Sequence, residues 1–313
     1  MVAIANNSWK PIEHVYVKNP ELRNQIHEQG YSIQNLIPKT AIQQLTDLFN
    51  EYHLLENEKG GVFFSIFSQD TKYRKAIHDK INEILQPIID PLFQNYKIVL
   101  NSFVVKVSGP ESEFYVHQDT TSLDESKFSA LTLWIPLHDV DKSNGCLGLV
   151  PFSKHFFSPY RSISFPAPYE GIRETVKNYL KPIEMNVGEM LLFDNRTLHH
   201  SYCNLSGKPR ISVICGLFPL DAKVLSFNKP TYEFGGKVEV IELEDNYLLT
   251  GKTFLKDNDK RPETGKSLGW IDDPYQPMNC ETFENLCNLF GVEKSVNTSS
   301  LTPTTCNIIG EPT

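Results

Sequence analysis

Three side chains of the kind that bind transition metals stand where the chain could bring them together. His117-Gln118-Asp119 places an imidazole and a carboxylate two residues apart. In an extended strand, residues i and i+2 project from the same face, so the pair would point at one place. About eighty residues later, Leu191-Leu192-Phe193-Asp194-Asn195-Arg196-Thr197-Leu198-His199-His200-Ser201 runs from an apolar strand into a polar turn and back. Either His199 or His200 could supply a second imidazole. Two imidazoles and one carboxylate are the facial triad that holds non-haem Fe(II) and leaves coordination positions open. Open positions admit a cosubstrate and O2, so the chemistry would be oxygen activation. An isolated H-x-D is commonplace; the second half gives it weight.

Arg210 opens another apolar strand eleven residues past His199. A guanidinium fixed inside a barrel needs an anionic partner, because an unpaired buried charge is costly. The carboxylate of a bound cosubstrate, received by a bidentate fork, would serve.

The elements that must position these residues are helical at first and then extended. Pro20 opens a helix that Gly30 closes, Tyr31-Ser32-Ile33 is extended, and Pro38 starts a second helix with Ile42, Leu45, Leu48 and Phe49 at helical spacing. A third helix spans about 70–88, with Ile77, Ile81 and Ile84 on one face. From about residue 97 the period shortens toward two. Strands are expected over 98–105, 113–117, 130–137, 146–150, 182–187, 190–193 and 210–218, with turn signals at Gly109-Pro110, Asp141–Gly145 and Gly188. Short strands in this rhythm suggest a jelly-roll barrel or sandwich. The stretch 158–180, with its aromatics and prolines, suits a loop over a site mouth. Beyond Pro219 the pattern is irregular apart from a helix over 281–290.

At 313 residues and 40% hydrophobic composition the chain can bury one sizeable core. The expected organisation is one catalytic domain over 1–290, with a helical part at 20–90, a β core at about 97–220 and a C-terminal extension at 221–290. Residues 291–313 read as a loose tail. A formal net charge of −8 disfavours a general nucleic-acid role. No apolar run is long enough for a membrane span, and the first residues carry no secretory pattern, so a cytoplasmic enzyme is expected. The six cysteines include no C-x-x-C pair and read as free thiols.

Several blocks, in order, give the chain a family resemblance. They are His117-Gln118-Asp119; Trp134 followed by Val140–Leu147; the segment Leu149-Val150-Pro151-Phe152-Ser153-Lys154-His155; Gly188–Phe193; and His199-x-Ser201-x-x-Asn204 with Arg210. Over residues 20–220 the chain resembles the phytanoyl-CoA dioxygenase-like branch of the Fe(II)/2-oxoglutarate oxygenases. The resemblance implies a mainly β fold with flanking helices around a double-stranded β-helix, the cupin-like jelly roll. It implies His117, Asp119 and His199, rather than His200, as iron ligands, and Arg210 and Ser201 as partners of the far carboxylate of 2-oxoglutarate. Thr132, Trp134 and Asn101 match positions that line the cosubstrate pocket in relatives. The implied reaction consumes O2 and 2-oxoglutarate, releases succinate and CO2, and oxidises a substrate by hydroxylation, desaturation, cyclisation or oxidative cleavage. Halogenation is disfavoured, since Asp119 is retained.

His155, Arg161 and Arg173 are the candidate substrate contacts. The aromatics around the two arginines suggest a small amphipathic molecule, such as an amino-acid derivative or natural-product intermediate. Two other readings compete: a non-catalytic cupin-like binding or sensor protein, and a Zn- or Mn-dependent hydrolase or isomerase on the same barrel. Neither needs Arg210. Oligomeric state is not legible in the sequence.

Overall fold

Asn19 accepts the N–H groups of Glu21 and Leu22, and Pro20 fills the first helical turn, so helix α1 begins there (Pro20–Gln29). It stops at Gly30, whose φ of 89° is left-handed. A side chain at Gly30 would also collide with Thr197, since a Cβ would lie 2.6 Å from its Oγ1. The Gly30 carbonyl accepts from the Asp194 N–H and the Thr197 hydroxyl. This helix end is therefore stitched to the turn that precedes His199. The computed structural model describes residues 12–52, 61–156, 160–251 and 260–295. Most of the expected tail, 296–313, lies outside them, as do 157–159 and Cys306.

Strand β1 (Tyr31–Asn35) leads to α2 (Lys39–Tyr52), and β2 (Val62–Phe64) precedes α3 (Thr71–Ile89). The β-rich part follows as β3 (Tyr96–Lys106), β4 (Phe114–His117), β5 (Leu131–Pro136), β6 (Leu147–Leu149), helix α4 (Arg173–Lys177), β7 (Lys181–Ile183), β8 (Glu189–Asp194), β9 (His199–Ser201) and β10 (Arg210–Pro219). Ten strands form two antiparallel sheets, one ordered β1-β8-β5-β10-β3-β2 and the other β4-β9-β6-β7. This is the double-stranded β-helix expected from the sequence.

Strand parity sorts the side chains. On β10, Val213, Cys215 and Leu217 join Phe103, Val105, Leu131 and Leu133 in the core under α1, α2 and α3. Trp134, Leu191 and Phe193 point the other way and meet Leu147, Leu149 and Ile183 of the smaller sheet. The six-stranded sheet is thus buried on both faces, which explains why β5 is an apolar run rather than a polar–apolar alternation.

The segment 158–180 is the stretch expected as a loop over a site mouth. From Arg161 onward it is packed: Phe165, Tyr169, Ile172, Val176 and Tyr179 are buried. Several of them join Val116 and Leu198 on the outside of the smaller sheet, together with Phe283 and Leu286 of the last helix. Apolar spacing over 172–180 was enough to form α4. The C-terminal extension is also more regular than its sequence suggested. It holds β11 (Val224–Asn228), β12 (Lys237–Leu243) and β13 (Lys266–Asp272) as a third antiparallel sheet, with helices α5 (Tyr247–Thr250) and α6 (Cys280–Leu289). Its strands are separated by long polar connections, which hid the alternation. Among the described residues the cysteines are free and no helix is long and apolar enough to cross a membrane.

Candidate metal and cosubstrate site

β4 and β9 pair so that His117 stands opposite His199. Asp119 follows β4 on the same side. The ligating atoms of His117, Asp119 and His199 lie within 4.8 Å of one another, close enough to hold one metal ion. The Asp119 Oδ1 is 3.9 Å from His117 Nε2 and 3.6 Å from His199 Nε2. Each imidazole is fixed from behind: His117 Nδ1 donates to the Tyr115 carbonyl at 2.9 Å and His199 Nδ1 to the Thr197 carbonyl at 2.9 Å. A carbonyl can only accept, so Nδ1 must carry the proton and Nε2 is left bare toward the shared point. Burial and the neighbouring His199 push His117 well below the ordinary imidazole range, which keeps it neutral and able to ligate.

The carboxylate is held as firmly. Asp119 Oδ2 accepts from the Thr132 hydroxyl at 2.9 Å, and the Thr132 hydroxyl also touches Asn195 Oδ1 at 3.0 Å. The Asp119 N–H donates to the Asn195 carbonyl. Between the two ligands, the Gln118 N–H donates to the Tyr169 hydroxyl, and its side-chain amide donates to the Arg196 carbonyl. Arg196 is itself locked to Asp194, Nε to Oδ1 at 2.8 Å, in a buried cluster with Lys154 and His14. Burial pushes the Asp194 carboxyl up, but Arg196 and Lys154 outweigh it and hold the group well below the usual range. Thr132, expected at the cosubstrate, is bonded to the Asp119 carboxylate. Asn195, Gln118, Asp194 and Arg196 were not foreseen. Their one signal was polar side chains directly flanking both halves of the motif.

Arg161 belongs with these supports and not with the substrate contacts expected of it. Its guanidinium forms a two-pronged pair with Glu125, at 2.8 and 2.6 Å, and its Nε donates to the Asp119 carbonyl at 2.8 Å. Burial alone would depress it, but Glu125 more than compensates. Breaking this pair leaves Glu125 buried and uncompensated. Arg161→Met is therefore expected to cost about 3–5 kcal/mol of stability, read as a lower Tm. Adding Glu125→Leu should recover most of that stability while metal affinity stays weakened, because the Asp119 carbonyl remains unheld. Recovery of both would assign Arg161 a purely structural role.

On β10, Arg210 and Ser212 point inward. Arg210 lies with its guanidinium carbon 5.3 Å from the centre of the Trp134 ring and donates to Ser212 Oγ at 2.8 Å. Its Nε is buried without a partner, and among the described residues it has no ion pair. Burial pulls it down to about 10, so it is still charged at neutral pH. Opposite it in register is Lys106, also fully buried, whose ammonium donates to the backbone carbonyls of Ser112, Ser201 and Tyr202. Room for this lysine comes from Gly145, whose φ is 85° and whose missing Cβ would lie 2.6 Å from Lys106 Cδ. Two buried cations thus share one end of the barrel, and among the described residues no carboxylate pairs with either. Ser201 shares the inward face of β9 with His199, and Trp134 shares that of β5 with Thr132.

The remaining expected residues divide. His200 points outward: its ring packs edge-on against Tyr202 at 4.3 Å, and its Nδ1 is 3.9 Å from Glu113. Asn101 also faces away. It stands opposite Cys215 on the helical side of the sheet, and its amide donates to the His78 carbonyl of α3 at 3.2 Å. It therefore does not line the cosubstrate pocket. His155 is packed between α1 and α6, donating to the Glu28 carbonyl at 3.1 Å and stacking on Phe290 at 5.4 Å, and is no substrate contact. Arg173 does lie near the metal group: its guanidinium carbon is 4.7 Å from the centre of the Tyr115 ring, which is 5.5 Å from that of His117.

The chain is similar to several known proteins. The chain is 25% identical to phytanoyl-CoA dioxygenase 1 of Oryza sativa subsp. japonica over 187 residues, covering 50% of this chain and 65% of that protein. It is 26% identical to phytanoyl-CoA dioxygenase of Arabidopsis thaliana over 204 residues, covering 54% and 71%. A similar solved structure is that of the non-haem α-ketoglutarate-dependent carbocyclase SnoK from nogalamycin biosynthesis, with 18% identity, coverage of 69% of this chain and 90% of that one, and a TM-score of 0.49. The family model for phytanoyl-CoA dioxygenase (PhyH) matches residues 26–212, which include His117, Asp119, His199 and Arg210, and the chain belongs to that family.

Proposed function

We propose that this protein is an Fe(II)- and 2-oxoglutarate-dependent oxygenase of a small-molecule substrate. One observation carries the reading: a two-histidine, one-carboxylate group and a buried arginine with no ion pair among the described residues occupy the interior of the same barrel. The donor set fits Fe(II), because both Nε2 atoms are bare and the carboxylate is braced by Thr132. Arg210 fits the far carboxylate of 2-oxoglutarate, which would supply the anion the guanidinium lacks. When bound, the metal with 2-oxoglutarate and O2 supplies the oxidising power, and succinate and CO2 are released.

The chain's own part is placement. His117, Asp119 and His199 confine the metal to one side of the barrel, and their backbone partners fix the ring orientations. Arg210 orients the cosubstrate, a contribution that is chiefly entropic. Trp134 lies under Arg210, so water is kept from the pair and the charge interaction is strong. The substrate class follows the expectation of a small amphipathic molecule.

The test is anaerobic addition of Fe(II) and 2-oxoglutarate to the purified protein. A weak visible absorption band should appear only when both are present, and aeration should release succinate. Absence of the band with Fe(II), together with hydrolytic or isomerase turnover on Zn or Mn, would replace this reading with the metallohydrolase alternative.

A further inference from the structure

A row of aromatic rings crosses the barrel mouth and ends at a cation. Phe67 and Phe64 lie 5.1 Å apart, Phe64 and Phe114 5.7 Å, and Phe114 stacks on Tyr115 at 5.0 Å. Arg173 then sits over the outer ring, Tyr115. None of the four rings is fully buried, and Tyr115 is 47% exposed. Register places the row on the site side. Phe64 stands opposite Val104, whose neighbour two residues on is the inward Lys106, and Phe114 stands opposite Ser201 on the inward face of β9. Phe114 is also 4.9 Å from the His117 ring. The register shift between Phe114 and His117 is what turns Tyr115 out beside the metal group.

Arg173 has a buried Nε with no hydrogen-bond partner and, among the described residues, no ion pair. Glu113, Glu170 and Glu174 are each committed elsewhere. Glu113 pairs with Lys177 at 2.7 Å, Glu174 pairs with the same lysine at 3.0 Å, and Glu170 accepts from the Tyr232 hydroxyl at 2.9 Å and from the Ala167 N–H. A cation resting on an aromatic face, with its charge unanswered, is a receptor for an anion. Resting on the oxygenase reading above, we infer that the substrate is an amphipathic anion: its apolar body lies along Phe64, Phe114 and Tyr115, and its carboxylate or phosphate is received by Arg173.

The test uses the protein loaded anaerobically with Fe(II) and saturating 2-oxoglutarate. Octanoate, 3-phenylpropionate and phenethyl phosphate are titrated to millimolar concentration, each beside its uncharged amide or alcohol, and both the visible band and the heat of binding are followed. At least one anion should bind about tenfold more tightly than its neutral counterpart. The carboxylates and the phosphate monoester separate the two kinds of head group. Arg173→Gln should erase the preference while the band itself still forms, Arg173→Lys should keep part of it, and Phe114→Ala should weaken the favoured anion and its neutral counterpart alike. Neutral compounds binding as well as anions, no anion binding at all, or a preference that survives Arg173→Gln would each overturn the inference. If the band never forms in the wild type but calorimetry finds the anion preference, the oxygenase reading fails and the anion site stands.

Discussion

Asp119→Ala abolishes the Fe(II)·2-oxoglutarate band and succinate release, and lowers Fe(II) affinity by more than about a hundredfold. Altering a group behind a ligand typically costs ten- to a hundredfold in affinity, and removing the ligand itself should cost more. The loss is confined to the site, because Asp119 is held by it rather than holding the fold. Its carboxylate touches Thr132 and the two imidazoles, while its backbone N–H and carbonyl, which the substitution keeps, make the bonds to Asn195 and Arg161. Thermal stability of the metal-free protein should therefore change little. Isothermal titration with Fe(II) under argon, beside a melting curve, separates the two quantities. An Asp119→Ala protein that keeps the band would remove Asp119 from the ligand set.

The grouping of His117, Asp119 and His199 was legible because its chemistry is local. An H-x-D on a strand fixes two donors whatever the rest of the chain does, while the family resemblance selects His199 over His200, and in the structure His199 has the inward parity of Ser201. The choice against His200 is a parity statement, and the close packing of His200 against Gly148 on the adjacent strand shows why it cannot be reversed: a Cβ there would lie 2.7 Å from the ring. Asn101 failed on the same rule. Nothing in the run Val99–Val105 marks which face is which, since the strand is buried on both sides, and a shift of one residue exchanges the barrel interior for the helical layer. Arg161 and His155 failed for another reason. An arginine near aromatics reads alike whether its partner is a ligand or a glutamate, and Glu125, thirty-six residues away in the chain, becomes its partner only through the fold. The bracing of Asp119 by Thr132 was similarly out of reach, because it depends on how the turn after β4 meets β5.

Arg210→Met should raise the KM for 2-oxoglutarate by more than about a hundredfold, the penalty for leaving a buried carboxylate without its charge partner. The same substitution should leave the resting protein at least as stable as the wild type. Arg210 has no ion pair among the described residues, and burial holds it at about 10, below the ordinary guanidinium value. A base whose pKa falls on folding is destabilised in its charged form, so the folded state tolerates this charge at a cost. Methionine fills similar volume without the charge and loses only the contact with Trp134 and the bond to Ser212. The two expectations together distinguish a ligand-binding arginine from a structural one. A structural arginine would lose stability and leave cosubstrate affinity alone. A third measurement closes the argument: 2-oxoglutarate with a redox-inert divalent metal should raise the Tm of the wild type, by about 2.7 kcal/mol of stabilisation at a hundred times Kd, and should not move that of Arg210→Met. Equal stabilisation of both proteins would show that the cosubstrate's far carboxylate is held elsewhere, with Lys106, the other buried cation at that end of the barrel, as the next residue to change.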